Sequence, residues 1–525
     1  MSYPPQGRLP QELVDLIIGE LHHYPTLSRC SLVHSSWLYT TRKFLFNFLS
    51  VIADDEGKYN TFIDFIQVAP PSISLSVRNL ELCGPIDSGW KEDDIPDVAA
   101  YVTNGILLSI LTRLPKLETL RLDCVYFTAI SDDDDLSIRK QQVPFHAPGL
   151  FRLKSLELEC IGDLDLYHRH NVSEINETET CILDIVNILI LFDEIGCLNV
   201  TKCGLLEPFP GDSSELSTQL LQEWVPVPHT LRVHSLKVTT DYGIDIAPFI
   251  PVLARMLLPN TLQNVEFDVW GLEELPSFAE LLSNGDIRSV SLSLQCPRHP
   301  VITRIPLSSL RSFGLGLSAC GSLERASFMA AKMDNMLFPI ASQIHTTLTL
   351  VSFLPRTSSL KEIELTFDVH GKQCMGSLLP ILLASEAHWV ATDRTLALEF
   401  SGLKALSIKF VDNVHKDTDM RWDSVYRSDH ERPLDLANQD GYTQQELVEL
   451  GMGHFWPSPI LVSHLGKAYS FFSSTVRGDP ANPSARGNPS HVLFYQFGHF
   501  FGERMAHLRG TNRLSILYEP GDLYF

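Results

Sequence analysis

The stretch Ile195–Leu205, with the sequence IGCLNVTKCGL, combines a strand pattern with a turn signal. Ile195, Leu198 and Val200 follow the spacing apolar-x-x-apolar-x-apolar, which ends in the two-residue alternation of a half-buried strand. Cys203 follows at the position where the chain would leave such a strand. The stretch therefore predicts one strand and the turn that ends it.

The same apolar-x-x-apolar-x-apolar template recurs over most of the chain. Apolar stretches with helical character lie between several copies, at Ile106–Leu111, Phe249–Leu257 and Phe278–Leu282. Because so many segments share one template, we expect a repeating unit of strand, turn and helix. The copies begin at Val77, Leu117, Leu153, Ile195, Val233, Leu262, Ile287, Leu310, Leu360 and Leu403.

This unit resembles a leucine-rich repeat, and Ile195–Leu205 fits the full repeat pattern, including the Asn/Cys position after the strand. The spacing between copies is irregular, so we expect inserted loops, for example at Asp132–Asp135 and Gly211–Ser214. The resemblance implies an irregular leucine-rich-repeat-like α/β solenoid over residues 51–412. The alternative is a conventional α/β domain on a parallel sheet, which shows the same alternation.

The first fifty residues show a different pattern, with three short amphipathic segments. Pro10 stands where a first-turn proline is tolerated, and an apolar stripe runs from Leu13 to Leu21. Pro25 ends the first segment, and Thr26 can cap a second helix. The residues that stand out, in order, are Leu9-Pro10, Glu12-Leu13, Ile17-Ile18, Cys30–Val33, Ser36-Trp37, Arg42 and Leu45-Phe46.

In order and spacing these residues resemble an F-box, which we place at residues 1–50. In F-box proteins this module binds a Skp-family adaptor, which links the protein to a cullin scaffold. Ser36 departs from the family, where a basic residue often precedes the tryptophan. The alternative is an ordinary three-helix cap with Trp37 in its core. The adaptor contacts implied by the resemblance are Leu9, Pro10, Ile17, Ile18, Leu21, Leu32, Val33 and Trp37.

Composition limits the class of protein and its partners. A hydrophobic content of 44% and a charged content of 20% are typical of a folded chain rather than a disordered one. At 525 residues, several structural units or a solenoid are expected. The net charge of −22 argues against nucleic acid and anionic membranes as primary partners, because both bind clustered Lys and Arg.

Targeting signals are weak in this sequence. Met1–Arg8 is polar and does not resemble a signal peptide, and the apolar run Cys181–Val200 is broken by acidic residues. The ten cysteines are scattered and are best interpreted as reduced core thiols. We therefore expect a cytoplasmic or nuclear protein, or one present in both compartments.

Several segments imitate catalytic motifs. Gly314–Ala319 fits the G-x-G-x-x-A dinucleotide pattern, with Asp334 downstream, but its leucines already belong to a predicted repeat strand. Gly316–Cys320 resembles a nucleophile elbow without its closing glycine. The late histidines lack the spacing of a metal site. We therefore expect no cofactor, no metal and no catalytic residues, and a protein that is not an enzyme.

The C-terminal region, residues 413–525, lacks the repeat pattern. Residues 473–490 are rich in Gly, Pro, Asn and Ser and predict a mobile loop. The aromatic segments around Val492–Phe501 and Leu514–Phe525 would either cap the open end of a solenoid or serve as an interaction segment. Both interpretations remain open.

The residues between the repeat leucines face outward, and acidic ones outnumber basic ones. This face is expected to bind a basic or polar segment of an unknown protein substrate. The predicted chain is thus α+β, an N-terminal F-box followed by a solenoid, and would be a substrate-recognition adaptor subunit of a Skp–cullin–F-box type ubiquitin ligase. The alternatives are an F-box scaffold without a degradation role, or a repeat-domain enzyme. The candidate face residues are Glu81, Asp123, Glu157, Glu159, Glu266, Asp268 and Glu364.

Overall fold

Helices alternate with short parallel strands along most of the described chain. The chain divides into two compact units: unit 1 comprises residues 1–239 and 243–258, and unit 2 comprises residues 240–242 and 259–525. No helix in the described ranges is long and apolar enough to cross a membrane. The computed structural model describes residues 10–21, 23–53, 56–84, 101–128, 151–159, 161, 185–203, 205–206, 230–240, 244–246, 249–269, 275–295, 307–333, 337–369, 386–412, 500–501 and 503–520.

Unit 1 begins with three helices and continues as an open parallel sheet with helices. Its described sheet has the order β1-β2-β4-β6-β7-β9, and two short pairs, β3–β5 and β8–β10, lie outside it. The helices are α1 (Gln11–Gly19), α2 (Tyr24–Cys30), α3 (Ser35–Leu45), α4 (Glu56–Val68), α5 (Pro71–Ser74), α6 (Asn104–Arg113) and α7 (Phe249–Met256). The strands are β1 (Phe48–Ile52), β2 (Asn79–Cys83), β3 (Tyr101–Thr103), β4 (Thr119–Asp123), β5 (Tyr126–Thr128), β6 (Phe151–Glu159), β7 (Phe192–Thr201), β8 (Leu205–Leu206), β9 (Arg232–Thr239) and β10 (Ile244–Asp245).

Unit 2 repeats the alternation of helix and parallel strand. Its described sheet has the order β11-β12-β13-β14-β15-β16. Each unit is therefore an open parallel α/β arrangement, which agrees with the solenoid-like class predicted from the repeats. The helices are α8 (Leu275–Asn284), α9 (Leu307–Ala319), α10 (Leu337–Phe353), α11 (Glu386–Glu399) and α12 (Ala506–Gly510). The strands are β11 (Asn264–Val269), β12 (Ser289–Gln295), β13 (Arg325–Met333), β14 (Glu362–Val369), β15 (Ala405–Asp412) and β16 (Leu514–Pro520).

Buried apolar residues stand in register from strand to strand and form the core of each unit. In unit 1 one row runs through Leu80, Leu120, Leu156, Leu198 and Leu236, each at most 1% exposed. Burying one such leucine is worth about 1.5–3 kcal/mol, so the row holds the strands in this register. The corresponding buried row of unit 2 is Val265, Val290, Ala326, Ile363 and Leu406, and it continues to the partly buried Leu514.

A repeated backbone contact at the start of the strands explains the spacing of the template. The carbonyl oxygen of Arg78 accepts hydrogen bonds from the N–H groups of both Glu118 and Thr119, at 2.7 and 2.9 Å. The carbonyl oxygen of Glu118 in turn accepts those of Lys154 and Ser155. Two residues of one strand, Glu118 and Thr119, therefore lie opposite one residue of its neighbour, as in a β-bulge. This explains why two residues, rather than one, separate the first two apolar positions of the template. In unit 2 the same double acceptor is found at Gln263, Arg288, Glu324 and Lys361.

Cys203 occupies the turn after β7, as the repeat pattern predicts. Its thiol is 1% exposed and donates to the carbonyl oxygens of Thr201 and Leu158, at 3.2 and 3.5 Å. The sulfur also accepts the N–H of Ile161 at 3.3 Å. Lys202, just before it, has a φ of 53°, which reverses the chain. The Cys203 sulfur therefore links this turn by hydrogen bonds to β7 and to the neighbouring strand β6.

The predicted strand beginning at Leu310 is wrong, because this segment is part of helix α9. Leu310 and Phe313 are buried while Leu315 is 61% exposed, which is helical rather than strand periodicity. A Cβ atom at Gly316 would lie 2.9 Å from the Cα of Ala279 on α8. The glycine is thus explained by close contact between two helices. The dinucleotide pattern has no phosphate-binding turn to support it.

The four strands of the short pairs, β3, β5, β8 and β10, match no predicted copy of the template. In the two longer described sheets the template missed β1, β13 and β16, each for a different reason. The template at Phe46, Leu49 and Val51 fits β1 but falls at the end of the predicted F-box. In β13 the central template position, between Leu323 and Phe328, is Ala326, which is too small to register as a template residue. In β16 the first template position is Thr511, which is not apolar. All other predicted copies overlap a strand.

The last described residues of the chain belong to unit 2. β16 pairs in parallel with β15 and is the last strand of the described sheet of unit 2. Asp393, 1% exposed on α11, accepts the N–H groups of His507 and Leu508, each at 3.0 Å. The ring of Phe501 packs against Trp389, with centroids 4.8 Å apart. Residues 413–499, including the predicted loop 473–490, lie outside the described residues.

The stretch that carries the full repeat also contains a sterically constrained glycine. A Cβ atom at Gly196 would lie 2.6 Å from the carbonyl oxygen of Lys154. We expect Gly196→Ala to lower the free energy of unfolding by about 1–3 kcal/mol, because the backbone of β6 must move. Gly105→Ala in α6 is the matched control, with its nearest neighbour at 3.6 Å. Urea unfolding that shows equal losses for both variants would contradict the steric explanation.

The buried carboxylate of Asp393 is expected to hold the C-terminal strand in place. Asp393→Asn should speed hydrogen exchange at His507, Leu508 and β16 by about 10- to 100-fold, because it removes a charged acceptor of two backbone N–H groups. The control is Glu386→Gln, which weakens the partly exposed 2.8 Å ion pair with Arg504. That change should have little effect. Equal protection in wild type and Asp393→Asn would rule out this capping role.

Candidate interaction surfaces

The helices α1–α3 have a small apolar core of their own. It consists of Val14, Ile18, Leu27 and Leu45, each at most 7% exposed. The partly buried side chains packed against it are Leu21, Cys30, Trp37 and Phe46. A separate core means that these helices are stabilised locally rather than by the sheet alone.

The same helices leave several large apolar side chains exposed. Leu32 is 85% exposed and Val33 is 65% exposed, next to each other after α2. On α1, Leu13, Leu16 and Ile17 are 45%, 63% and 45% exposed. The apolar stripe of α1 is wider than the core requires, so part of it remains outside. Neighbouring exposed apolar side chains are typical of protein-binding surfaces.

The predicted adaptor contacts divide into three groups. Pro10, Ile17, Leu32 and Val33 are exposed, and Leu21 and Trp37 are partly buried against the core. Ile18 is 0% exposed, so it stabilises the helices and is removed from the predicted contact surface. Leu9 lies outside the described residues. Leu13 and Leu16 are not among the predicted contacts, although both belong to the same apolar stripe as Ile17 and are at least as exposed.

A polar contact links α1 to α3 beside this core. The carboxylate of Asp15 accepts hydrogen bonds from the hydroxyl of Thr40 and, at 2.8 Å, from Nε2 of Gln11. The hydrogen bond from Thr40, followed by that from Gln11, lowers the pKa of Asp15 below its usual value. Because the charged carboxylate is the form that is bonded, the contact favours the folded helices when Asp15 is ionised.

The outward face of the unit 1 sheet carries a compact group of charges around Arg121. The guanidinium lies 3.2 Å from Glu81, 2.9 Å from Asp123 and 2.8 Å from Glu159. These three predicted face residues therefore lie together, on β2, β4 and β6. Each already has a cationic partner, so the face is less available to an external cation than its acidic count suggests.

The remaining predicted face residues do not join this group. Glu157 stands beside Arg121 in the register and has Asn199 on its other side. In unit 2, Glu266 and Glu364 occupy one row but are separated by Ser291 and Ser327. With strands about 4.8 Å apart, that separation is roughly 14 Å. Asp268 lies in the adjacent row, opposite Ser293.

Glu81, Cys83 and Asp123 are close enough to be considered as metal ligands, with ligand atoms within 4.8 Å of one another. Burial, with the nearby charge of Glu81, raises the pKa of the Cys83 thiol to about 11. A cation would have to deprotonate this thiol and displace Arg121 from both carboxylates. The arrangement therefore favours a structural ion-pair group over a metal centre.

The second imitation of a catalytic motif, Gly316–Cys320, is also structural. Ser318, at the nucleophile position, lies inside helix α9 rather than on a strand-to-helix turn, and its hydroxyl donates to the carbonyl oxygen of Leu315 at 2.8 Å. Cys320 is 2% exposed, and its thiol donates to the carbonyl oxygen of Gly316 at 3.4 Å. Burial raises the pKa of this thiol to about 12, so it is protonated at neutral pH. A buried neutral thiol at a helix end packs as a small apolar side chain.

The contact between Asp15 and Thr40 predicts a pH dependence of the α1–α3 helices. A lowered folded-state pKa contributes stability above the unfolded pKa of Asp15, and this stability is lost as the pH falls through the folded value. Thr40→Val should move the pKa of Asp15 upward. The adjacent control is Thr41→Val, since Thr41 donates to the Trp37 carbonyl instead. Carbon-13 NMR titration of the Asp15 carboxyl measures both variants, and an unchanged pKa in Thr40→Val would contradict the assignment.

Comparison with known proteins provides no assignment for these surfaces. No protein-family model matches the chain, and no curated protein matches it.

Proposed function

We propose that this chain is a substrate-recognition adaptor subunit of a Skp–cullin–F-box type ubiquitin ligase. The F-box would be formed by α1–α3, and the leucine-rich-repeat-like sheets would carry the substrate surface. The observation that carries the proposal is a self-contained helical core next to exposed Leu32 and Val33, 85% and 65% exposed. The proposed compartment is the cytoplasm, the nucleus or both.

Exposed apolar side chains on α1–α3 fit an adaptor of complementary, apolar surface. Burying Leu32, Val33 and Ile17 against a partner would remove large side chains from water, at about 25 cal/mol per Å² of apolar area. Residues of this kind at the centre of an interface commonly dominate its binding energy. The proposed contact surface thus consists of Pro10, Ile17, Leu32 and Val33, with Leu13, Leu16 and the partly buried Leu21 and Trp37.

The substrate surface is proposed to be the outward face of the strands. In unit 1 this face mixes Arg121 with its three carboxylate partners, next to Glu157 and Asn199. A protein segment that combines polar and basic side chains fits this pattern better than a purely basic one, since most acids there are already paired. Catalysis would be supplied by other subunits, and this chain would contribute proximity.

The experiment is a binding assay between the full-length chain and a purified Skp-family adaptor. Wild type should bind, and Leu32→Asp with Val33→Asp should weaken binding at least tenfold, about 1.4 kcal/mol, because charge enters the apolar contact. The matched control is Val68→Asp, since Val68 on α4 is 83% exposed and lies outside α1–α3. The control should bind like wild type.

Equal binding by wild type and the double variant, or no binding by wild type, would overturn the adaptor proposal. A second readout separates degradation from scaffolding. Proteins that co-purify with both wild type and the double variant are candidate substrates. Their abundance in cells should rise when the double variant replaces wild type. Unchanged abundance with adaptor binding intact would instead support a scaffold without a degradation role.

A further inference from the structure

The strand β1 is the end strand of the described sheet of unit 1, and one side of it has no strand partner there. The carbonyl oxygen of Asn47 accepts a hydrogen bond from the N–H of Asn79 in β2, and the N–H of Ala53 donates to the carbonyl oxygen of Cys83 in β2. Because backbone groups alternate sides along a strand, the N–H and C=O groups of Phe48, Ser50 and Ile52 point away from β2. These groups form a row that another strand could pair with.

The side chains of this strand leave the open side unprotected. Phe48 is 54% exposed and Ile52 is 46% exposed. The strand has the sequence FLSVI. It contains no proline and no charged residue such as lysine, which usually prevent an edge strand from pairing with another chain. In unit 2, by contrast, the end strand β16 contains Glu519 and Pro520. An unprotected apolar edge is a template for strand pairing.

The sequence of β1 is complementary to itself about Ser50. In an antiparallel arrangement centred there, Phe48 faces Ile52 of a second copy and Leu49 faces Val51. The N–H and C=O groups of Phe48, Ser50 and Ile52 that point away from β2 would then form about six hydrogen bonds with the same groups of the second copy, across a two-fold axis. We propose that β1 mediates self-association of this chain through antiparallel pairing of two copies. This inference does not depend on the proposed function.

The size and charge of the contact fix its strength and its salt dependence. A five-residue strand offers only about 17 Å of edge, less than a standard interface requires, so the association is weak and depends on concentration. Each copy carries a net charge of −22, whereas β1 itself is uncharged. Added salt should therefore strengthen the pairing, because it screens repulsion between the copies without weakening an apolar contact.

Sedimentation velocity of the full-length chain over a range of concentrations tests the pairing. The average mass should rise toward twice that of one chain, more so at high salt. Ile52→Lys should raise the concentration needed at least tenfold, because it places charge opposite Phe48 of the second copy. The matched control is Leu517→Lys, since Leu517 is 44% exposed on β16. Circular dichroism checks that both variants remain folded.

A cross-link provides a second readout at the two-fold axis. Ser50→Cys should form a disulfide-linked dimer under mild oxidation, because directly opposed residues lie about 5.5 Å apart between Cα atoms, within disulfide reach. Ser515→Cys on β16 is the control, and wild type measures the background from native cysteines. A constant monomer mass, an unaffected Ile52→Lys variant, or cross-linking no greater than in Ser515→Cys would each overturn the proposal.

Discussion

The register of the parallel strands is the constraint on which the rest of each unit depends. Once Leu120 lies opposite Leu80 and Leu156, the residues on either side of it must face outward. Arg121 therefore lies between Glu81 and Glu157 in the register. A slip of one residue would bury these charges and expose the leucines, at several kcal/mol per buried charge. The core and the outward face are thus set by the same alignment.

This alignment explains why most strands could be predicted from sequence. The buried row requires an apolar residue at fixed positions in every repeat, and the double acceptor at Arg78 or Glu118 requires one extra residue before them. Both requirements leave a pattern in the chain. Where the core admits alanine, as at Ala326, the pattern disappears although the strand remains. Where a helix such as α9 happens to place Leu310, Phe313 and Leu315 at the same spacing, the pattern misleads.

The surfaces were less predictable because they depend on partners distant in the sequence. The apolar stripe of α1 contains both Ile17 and Ile18, yet only Ile18 turns toward Leu27 and Leu45. No local pattern distinguishes the two, since each lies on the same wide stripe. Likewise, the partners of Arg121 include Glu159, which is 38 residues away and is brought close by strand register. Counting acidic residues on the face could not reveal that three of them are paired.

The separation between the α1–α3 core and the buried rows has a consequence for function. Val14 and Ile18 pack within the helices, whereas Leu80 and its neighbours pack within the sheet. Substitutions at exposed Leu32 and Val33 therefore alter neither core, and a loss of binding there reports on the surface rather than on folding. A substitution at Ile18 would have the opposite effect, because it leaves a cavity in a core of only a few side chains. Substitution of the buried Ile18 is thus expected to cause a stability defect, whereas substitution of its exposed neighbour Ile17 is expected to cause a recognition defect.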